Sequence, residues 1–297
     1  MLALAACAPA ASPRPPQEPA SMPLMTWPDL LERDRPEADH RIAYGDLPQQ
    51  FAELWLPKGD GPHPTVLMVH GGCWTKAIAD LSIMNYIAAD LRDHGVAVWN
   101  IEYRGVDEAG GGYPGTFADV AAAADALRAH APRFSLRIEP LVAQGHSAGG
   151  HLASWLAARH RLPAASPLHR PDPISIAVVI SAGGLPDLEA NKALGDQSCG
   201  AAVIDALVGR ASAERPDVYA DTSLARLLPA GVFHHIVNAA HDRIAPPWFG
   251  RQYADEVRAA GDAAVLYEIP DAAHVELITP EAPAWRAQRD IILQALR

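Results

Sequence analysis

Cysteines, cationic side chains and long apolar runs are all scarce in this chain of 297 residues. Three cysteines are too few for a disulfide-built scaffold, and they lack the paired spacing of a zinc site. No uninterrupted apolar run reaches the roughly 18 residues that span a bilayer. Lys and Arg number 24 against 35 Asp and Glu. The resulting net charge of −11 argues against a nucleic-acid partner, whose phosphates require a basic surface.

Apolar residues, in contrast, are plentiful at 49% of the chain, while charged residues make up 20%. This balance excludes global disorder and predicts an acidic, globular protein with a well-filled core. The length suits one large α/β domain, which we expect over residues 22–297.

The first 21 residues have a different composition, with an apolar, small-residue opening followed by five prolines. Such a segment buries too little surface to fold, and it is predicted to be a tether. The run from Leu4 to Cys7 resembles a bacterial lipoprotein signal box, which implies lipidation at Cys7 and a lipid anchor at the N-terminus. We therefore expect an exported protein, periplasmic or anchored in the outer membrane, with a cytoplasmic location as the alternative.

Apolar runs alternate with helical stretches along the rest of the chain. Residues Ile42 to Leu56 indicate an antiparallel hairpin at a sheet edge. The runs that predict buried strands are Thr65–Val69, Val96–Ile101, Leu141–Ala143, Ile174–Ile180, Val232–Val237 and Ala264–Ile269. The helical stretches are Phe117–His130, Gly149–His160 and Ala284–Arg297. This alternation predicts a mostly parallel sheet with helices on both faces, and chemistry where the strands end.

A G-x-S-x-G motif spans Gly145 to Gly149, between the strand at Leu141 and a helix. In that setting the motif forms a sharp turn that exposes the serine hydroxyl at a helix N-terminus. Ser147 is therefore the predicted nucleophile, and the amide of Ala148 is a predicted donor to an oxyanion.

A second motif, HGGCW at residues 70–74, follows the strand at Thr65. A glycine-rich loop at this position can direct backbone N–H groups at the oxyanion of a tetrahedral intermediate. We assign that role to Gly71 and Gly72, and leave the Cys73 amide open as a further donor. His70 is expected to brace the loop rather than to act as the base.

The acid and the base are predicted after the last two strands, where Asp242 and His274 stand. A serine nucleophile needs a base, and the base needs an acid that orients it. The chain order Ser147, Asp242, His274 is the order of nucleophile, acid and base that accompanies a G-x-S-x-G motif. Other bases considered are His146, His151, His234, His235 and His241. Other acids considered are Asp187, Asp221, Asp271 and Glu276, of which Asp187 occupies an alternative acid position known in some hydrolases.

Together these motifs resemble the α/β-hydrolase fold, in the esterase group related to kynurenine formamidases, feruloyl-esterase-like enzymes and hormone-sensitive-lipase-like carboxylesterases. The resemblance extends from Ile42 to Arg297. Its motifs are HGGCW at 70–74, NIEYRG at 100–105, YPGTFADV at 113–120, GHSAGGH at 145–151, AAHDRIAPP at 239–247 and HVELITPEAPAW at 274–285. The resemblance implies that the insertion at about residues 185–228 forms a short cap.

Cys73 lies in the HGGCW loop and Cys199 lies in the implied cap. In an oxidising compartment the two thiols would pair and brace the loop against the cap. The alternative is two buried, unpaired cysteines that act as small hydrophobic residues.

The expected function is hydrolysis of carboxylic esters of small acyl substrates through a Ser-His-Asp triad and an acyl-enzyme. No metal or cofactor is expected. An arylformamidase, or another small amidase, is the alternative within enzymes. A non-catalytic binding protein on the hydrolase fold is the alternative from another class.

Overall fold

The computed structural model describes residues 23–297 of the chain. The predicted tether, the lipidation of Cys7 and the anchor that it would provide therefore lie outside the described residues.

Eight strands of the described region form one hydrogen-bonded sheet. They are β1 (His40–Ala43), β2 (Phe51–Trp55), β3 (His63–Val69), β4 (Ala97–Ile101), β5 (Leu136–His146), β6 (Val178–Ala182), β7 (Phe233–Ala239) and β8 (Ala263–Ile269). Their order in the sheet is β1-β2-β4-β3-β5-β6-β7-β8. The β1–β2 and β2–β4 pairs are antiparallel and all the others are parallel. The predicted fold class, a mostly parallel sheet with an antiparallel edge hairpin, is confirmed.

Eight α-helices surround this sheet in the described region. They are α1 (Trp27–Leu31), α2 (Asn85–Asp93), α3 (Gly115–His130), α4 (Ala148–Ala158), α5 (Leu188–Leu194), α6 (Ala201–Val208), α7 (Pro247–Ala260) and α8 (Pro283–Ala295). The helices predicted at Phe117–His130, Gly149–His160 and Ala284–Arg297 correspond to α3, α4 and α8. Across residues 23–297, no helix has both the length and the hydropathy that a membrane crossing requires.

Alternate residues of the central strands pack into two separate hydrophobic clusters. In β3, Leu67 and Val69 join one cluster, whereas Val66 and Met68 join the other. Successive side chains of a strand point to opposite faces, so a strand covered on both faces must be apolar at every position. Helices α3, α4 and α7 cover the first face, and α2 and α8 cover the second.

Two predicted strand boundaries are wrong. The strand predicted at Ile174–Ile180 begins only at Val178. Ile174 is buried without joining a strand, because its N–H donates to a side-chain oxygen of Asp125 at 2.9 Å. Strand β5 begins at Leu136, five residues before the predicted Leu141. The prediction starts too late because Pro140 argues against a strand, yet it lies inside β5.

Candidate active site

Ser147 connects β5 to α4 in a strained backbone conformation. Its φ of 55° and ψ of −123° lie in a region that non-glycine residues rarely adopt. Its N–H donates to the carbonyl oxygen of Ala182, at the end of β6, at 2.9 Å. The turn therefore holds Ser147 at the carboxyl edge of the central strands, where the sequence predicts the chemistry to lie.

The glycines of the motif are required by the close approach of backbone atoms. A Cβ on Gly145 would lie 2.0 Å from the carbonyl oxygen of Gly149. A Cβ on Gly149 would lie 2.1 Å from the carbonyl oxygen of Val69 in β3. Any side chain at either position would displace backbone, so the elbow geometry depends on both glycines.

The loop that follows β3 passes directly beside the nucleophile. A Cβ on Gly71 would lie 3.0 Å from the Cβ of Ser147, while Gly72 packs against Ala79. Ala148 is the first residue of α4, where amides lack intrahelical acceptors and the helix dipole is positive. The structure thus brings Gly71 and Ala148 next to Ser147, and their role as donors to an oxyanion stays a prediction.

His70 holds this loop in place through hydrogen bonds and ring stacking. Its Nδ1 lies 2.7 Å from the carbonyl oxygen of Gly71, and its Nε2 lies 2.8 Å from Oε1 of Glu102. The hydroxyl of Tyr103 donates to the carbonyl oxygen of His70 at 2.9 Å, and the two rings are stacked at 4.2 Å. Lys76, farther along the same loop, donates to Oε2 of Glu102 at 3.1 Å. The loop is therefore held at both ends by one carboxylate.

Glu102 is a site residue that the sequence analysis missed. Burial alone would raise the pKa of its carboxyl, but the nearby His70 and Lys76 outweigh burial and hold the pKa below its ordinary value. The available signal was its place in NIEYRG, just past β4, a strand that neighbours β3. A buried carboxylate at that point needs hydrogen-bond donors, and His70 lies just past the end of the neighbouring strand β3.

A disulfide bond joins the loop to the segment predicted as the cap. The sulfurs of Cys73 and Cys199 are 2.07 Å apart and close a sequence separation of 126 residues. The cap segment, residues 185–228, contains α5 and α6. Its Ser198 hydroxyl also donates to the carbonyl oxygen of Ile244, beside Asp242, at 2.8 Å. The cap segment therefore contacts both the Cys73 loop and the Asp242 loop.

Asp242 and His274 form a short, buried hydrogen bond. His274 Nδ1 lies 2.6 Å from Oδ2 of Asp242. The other carboxylate oxygen accepts the N–H groups of Ile244 and Ala245 at 2.8 and 2.9 Å. Because a carboxylate only accepts, Nδ1 of His274 carries the hydrogen of this bond, and Nε2 is the ring nitrogen left for proton transfer.

Gly183, just after β6, is a second residue that the sequence analysis missed. A Cβ there would lie 3.0 Å from Oδ2 of Asp242 and 3.2 Å from Cε1 of His274. Its φ of 52° also favours glycine. A side chain at this position would therefore crowd both members of the Asp–His pair.

The other candidate bases have different surroundings. Burial first, and then His274, lower the pKa of His146 well below its ordinary value, and its Nε2–H donates to the carbonyl oxygen of His274 at 3.1 Å. Burial lowers the pKa of His151 to about 4, and its Nε2–H donates to Thr222 at 2.7 Å. His241 is exposed. His234 and His235 lie in β7, as predicted, at the end remote from Ser147.

The other candidate acids have surroundings that differ from those of Asp242. Asp187 caps α5 by accepting the N–H groups of Glu189 and Ala190 at 3.0 and 3.1 Å. Asp221 forms an ion pair with Arg215 at 2.6 Å. Asp271 is exposed in a turn. Glu276 accepts two backbone N–H groups near His274. Among residues 23–297, no group of three or more His, Cys, Asp or Glu side chains is arranged to hold a metal ion.

Comparison with solved structures finds the same fold in several esterases. Esterase B from Lactobacillus rhamnosis aligns with a TM-score of 0.72 at 20% identity, covering 89% of this chain and 87% of that chain. Thermogutta terrifontis esterase 2 phosphonylated by sarin aligns with a TM-score of 0.69 at 18% identity, covering 90% and 96%. A bifunctional GH43-CE protein from Bacteroides eggerthii aligns with a TM-score of 0.69 at 20% identity. This chain is covered to 86% in that alignment and spans 35% of the larger protein.

The family comparison gives the closer assignment. No curated protein matches the chain. The family model described as BD-FAE matches residues 53–245, well over half of the sequence, from β2 through the loop that carries Asp242. With its sheet order, its serine elbow and this match, the chain has the α/β-hydrolase fold and belongs to the BD-FAE family.

Proposed function

We propose that this α/β-hydrolase cleaves carboxylic esters of small acyl substrates through an acyl-enzyme on Ser147. The observation that carries the proposal is the 2.6 Å contact between His274 Nδ1 and Asp242 at the sheet edge that carries the strained Ser147 elbow. That arrangement provides a nucleophile, a base with a defined tautomer and an acid that orients it.

In the proposed reaction, the Ser147 oxygen attacks the ester carbonyl carbon while His274 Nε2 takes the hydroxyl proton. The amides of the Gly71 loop and of Ala148 donate to the oxyanion as it forms. The C–O bond to the alcohol then breaks, and His274 returns the proton to the leaving oxygen. A water molecule next attacks the acyl-enzyme, with His274 again as the base, and releases the carboxylic acid and Ser147.

Two further observations support this choice of substrate. Two of the solved structures with this fold are esterases, and one of these is phosphonylated by sarin. The cap segment is short and is tied to the Gly71 loop by the Cys73–Cys199 bond, which suits small acyl groups better than long ones.

The test is a series of p-nitrophenyl esters of increasing acyl length, assayed beside N-formylkynurenine, with Ser147→Ala as control. We expect turnover of short-chain esters and a loss of at least about a thousandfold in kcat for the variant. Faster turnover of the formamide would favour the arylformamidase alternative. If neither substrate reacts, the binding-protein alternative is favoured. If the variant turns over esters as fast as the wild type, Ser147 is not the nucleophile.

We also infer that the protein works in an oxidising compartment, in keeping with the export signal predicted around Cys7. The Cys73–Cys199 disulfide supports this proposal, since such bonds persist in exported proteins and are rare in the cytosol. Alkylation of thiols in intact cells, followed by mass measurement, should leave both residues unmodified. Two alkylated cysteines would favour the cytoplasmic alternative.

A further inference from the structure

The N-terminal segment of the described region reaches the base of the proposed triad. Trp27, the first residue of α1, packs edge-to-face with the ring of His274, with centroids 6.3 Å apart and planes at 73°. It makes a similar contact with His146, at 6.4 Å and 70°. Trp27 nevertheless stays 38% exposed. A large aromatic surface therefore stands free beside the base.

This position of Trp27 is held by several independent contacts. Leu30, in the same helix, is completely buried. The N–H of Met25 donates to Oε1 of Glu276 at 2.6 Å, and the N–H of Ala273 donates to Oε2 of the same carboxylate at 3.0 Å. One buried carboxylate thus connects the segment before Trp27 to the loop that carries His274. The tryptophan and the base are therefore positioned together.

The chemistry of the proposed reaction determines which part of the ester lies next to Trp27. His274 must return its proton to the leaving oxygen, so the alcohol part of the ester passes over the imidazole. The carbonyl oxygen turns instead toward the Gly71 loop, which follows β3. Strand β3 and the strand before His274, β8, lie on opposite sides of β5 in the sheet. The carbonyl oxygen and the leaving alcohol therefore have separate surroundings, and Trp27 stands on the side of the leaving alcohol.

We propose that Trp27 is a specificity-determining residue that binds the alcohol part of the ester and favours aromatic or other flat apolar alcohols. This inference rests on the proposed function. An indole face gains contact energy from a second ring, through dispersion and edge-to-face attraction, that it does not gain from a methyl group. Because the contact forms with the part that leaves, it affects acylation and has no effect on hydrolysis of the acyl-enzyme.

The experiment compares benzyl acetate with methyl acetate, whose alcohols have similar acidity and which give the same acetyl-enzyme. In Trp27→Ala we expect the ratio of the two kcat/KM values to fall about fivefold in favour of methyl acetate. Trp27→Phe should keep the ratio within twofold of wild type. Ethyl acetate against ethyl butyrate, which varies only the acyl part, should give the same ratio in wild type and Trp27→Ala.

Phe233→Ala is the matched control. Phe233 is 37% exposed, and it begins β7 at the amino edge of the sheet, opposite the site. This variant should leave both ratios unchanged. If Trp27→Ala does not fold, Trp27→Leu provides the same comparison with less loss of packing.

The outcomes separate the two proposals. An equal fall of kcat/KM for benzyl and methyl acetate would mean that Trp27 only supports His274, and would overturn the assignment. So would an unchanged benzyl-to-methyl ratio, or a change confined to the acyl series. Turnover of esters by wild type with any of these results leaves the ester hydrolase proposal standing. Absence of turnover of every ester by wild type removes both.

Discussion

The nucleophile elbow and the loop at Gly71 stand side by side at one sheet edge, but different interactions hold them. The elbow is defined by backbone packing, since Gly145 and Gly149 leave no room for a side chain. The loop is held by side chains that are distant in sequence. His70 and Lys76 contact Glu102, just past strand β4, and Cys73 is bonded to Cys199 in the cap segment.

This difference predicts how each part of the site responds to pH and to reductant. Backbone packing has no titratable or reducible group, so the elbow should be insensitive to pH and reductant short of unfolding. The loop depends on a carboxylate and a disulfide, and both respond to solution conditions. Substitutions in the elbow should therefore displace the backbone at Ser147, whereas those in the braces should lower stability and release the loop without displacing the elbow.

The largest effect is expected from Gly149→Ala in the elbow. The new Cβ would lie 2.1 Å from the carbonyl oxygen of Val69 and 2.5 Å from that of His70, and backbone cannot yield as a flexible side chain does. We expect a loss of more than about 3 kcal/mol in the free energy of unfolding, measured by denaturant titration. Gly231→Ala is the control, because Gly231 has a φ of +72° and open space around it. It should lose only about 1 kcal/mol, and equal losses would contradict the packing explanation.

A smaller effect is expected from breaking the covalent brace with Cys73→Ala/Cys199→Ala. A disulfide that closes 126 residues restricts the unfolded chain, and its removal should lower the free energy of unfolding by about 3 kcal/mol. The kcat for a short-chain ester should fall as well, since the Gly71 loop loses its link to the cap segment. Wild type treated with dithiothreitol should behave like the double variant. Free thiols at both Cys73 and Cys199 in untreated, denatured protein would show that the bond is absent.

The smallest of the three effects is expected from Glu102→Gln, which removes the charge that holds His70 and Lys76. Lys76 is partly exposed, so water screens its share, and we expect a loss of about 2 kcal/mol in the free energy of unfolding at neutral pH. The pKa of Glu102 is lowered by folding, so its contribution to stability is complete above about pH 4.5 and disappears as the pH falls through the lowered value.

Unfolding curves of wild type and Glu102→Gln at several pH values check this sign. The stability difference should shrink below about pH 4.5 and stay constant above it. A difference that grows on acidification would mean that the carboxylate is not stabilised by its two partners.

Much of the fold follows from patterns that the sequence displays directly. Continuous apolar runs such as Thr65–Val69 predict strands covered on both faces, and the structure confirms the mostly parallel sheet. The boundaries at Ile174 and Leu141 are wrong for different reasons. At Ile174 the side chain of Asp125, which is distant in the sequence, replaces a strand partner. At Leu141 the preceding Pro140 argues against a strand but lies within one.

Some residues of the candidate site could be predicted from the sequence and others could not. The residues with proposed chemical roles, Ser147, Asp242 and His274, have local signals, since each follows a strand within a short motif. The residues that position them do not. Glu102, Gly183 and Trp27 act on partners that are distant in the chain, and a single sequence gives no measure of that proximity.

The sequence by itself determined the fold class and the strand ends at which the candidate chemistry lies, because hydrophobic periodicity and strained turns are encoded by neighbouring residues. Only the tertiary structure decided that Glu102 braces the Gly71 loop, that Gly183 makes room for the Asp242–His274 pair, and that Trp27 stands beside the base. Each of these contacts joins segments on different strands or helices, and their distances are set by how the sheet and its helices pack.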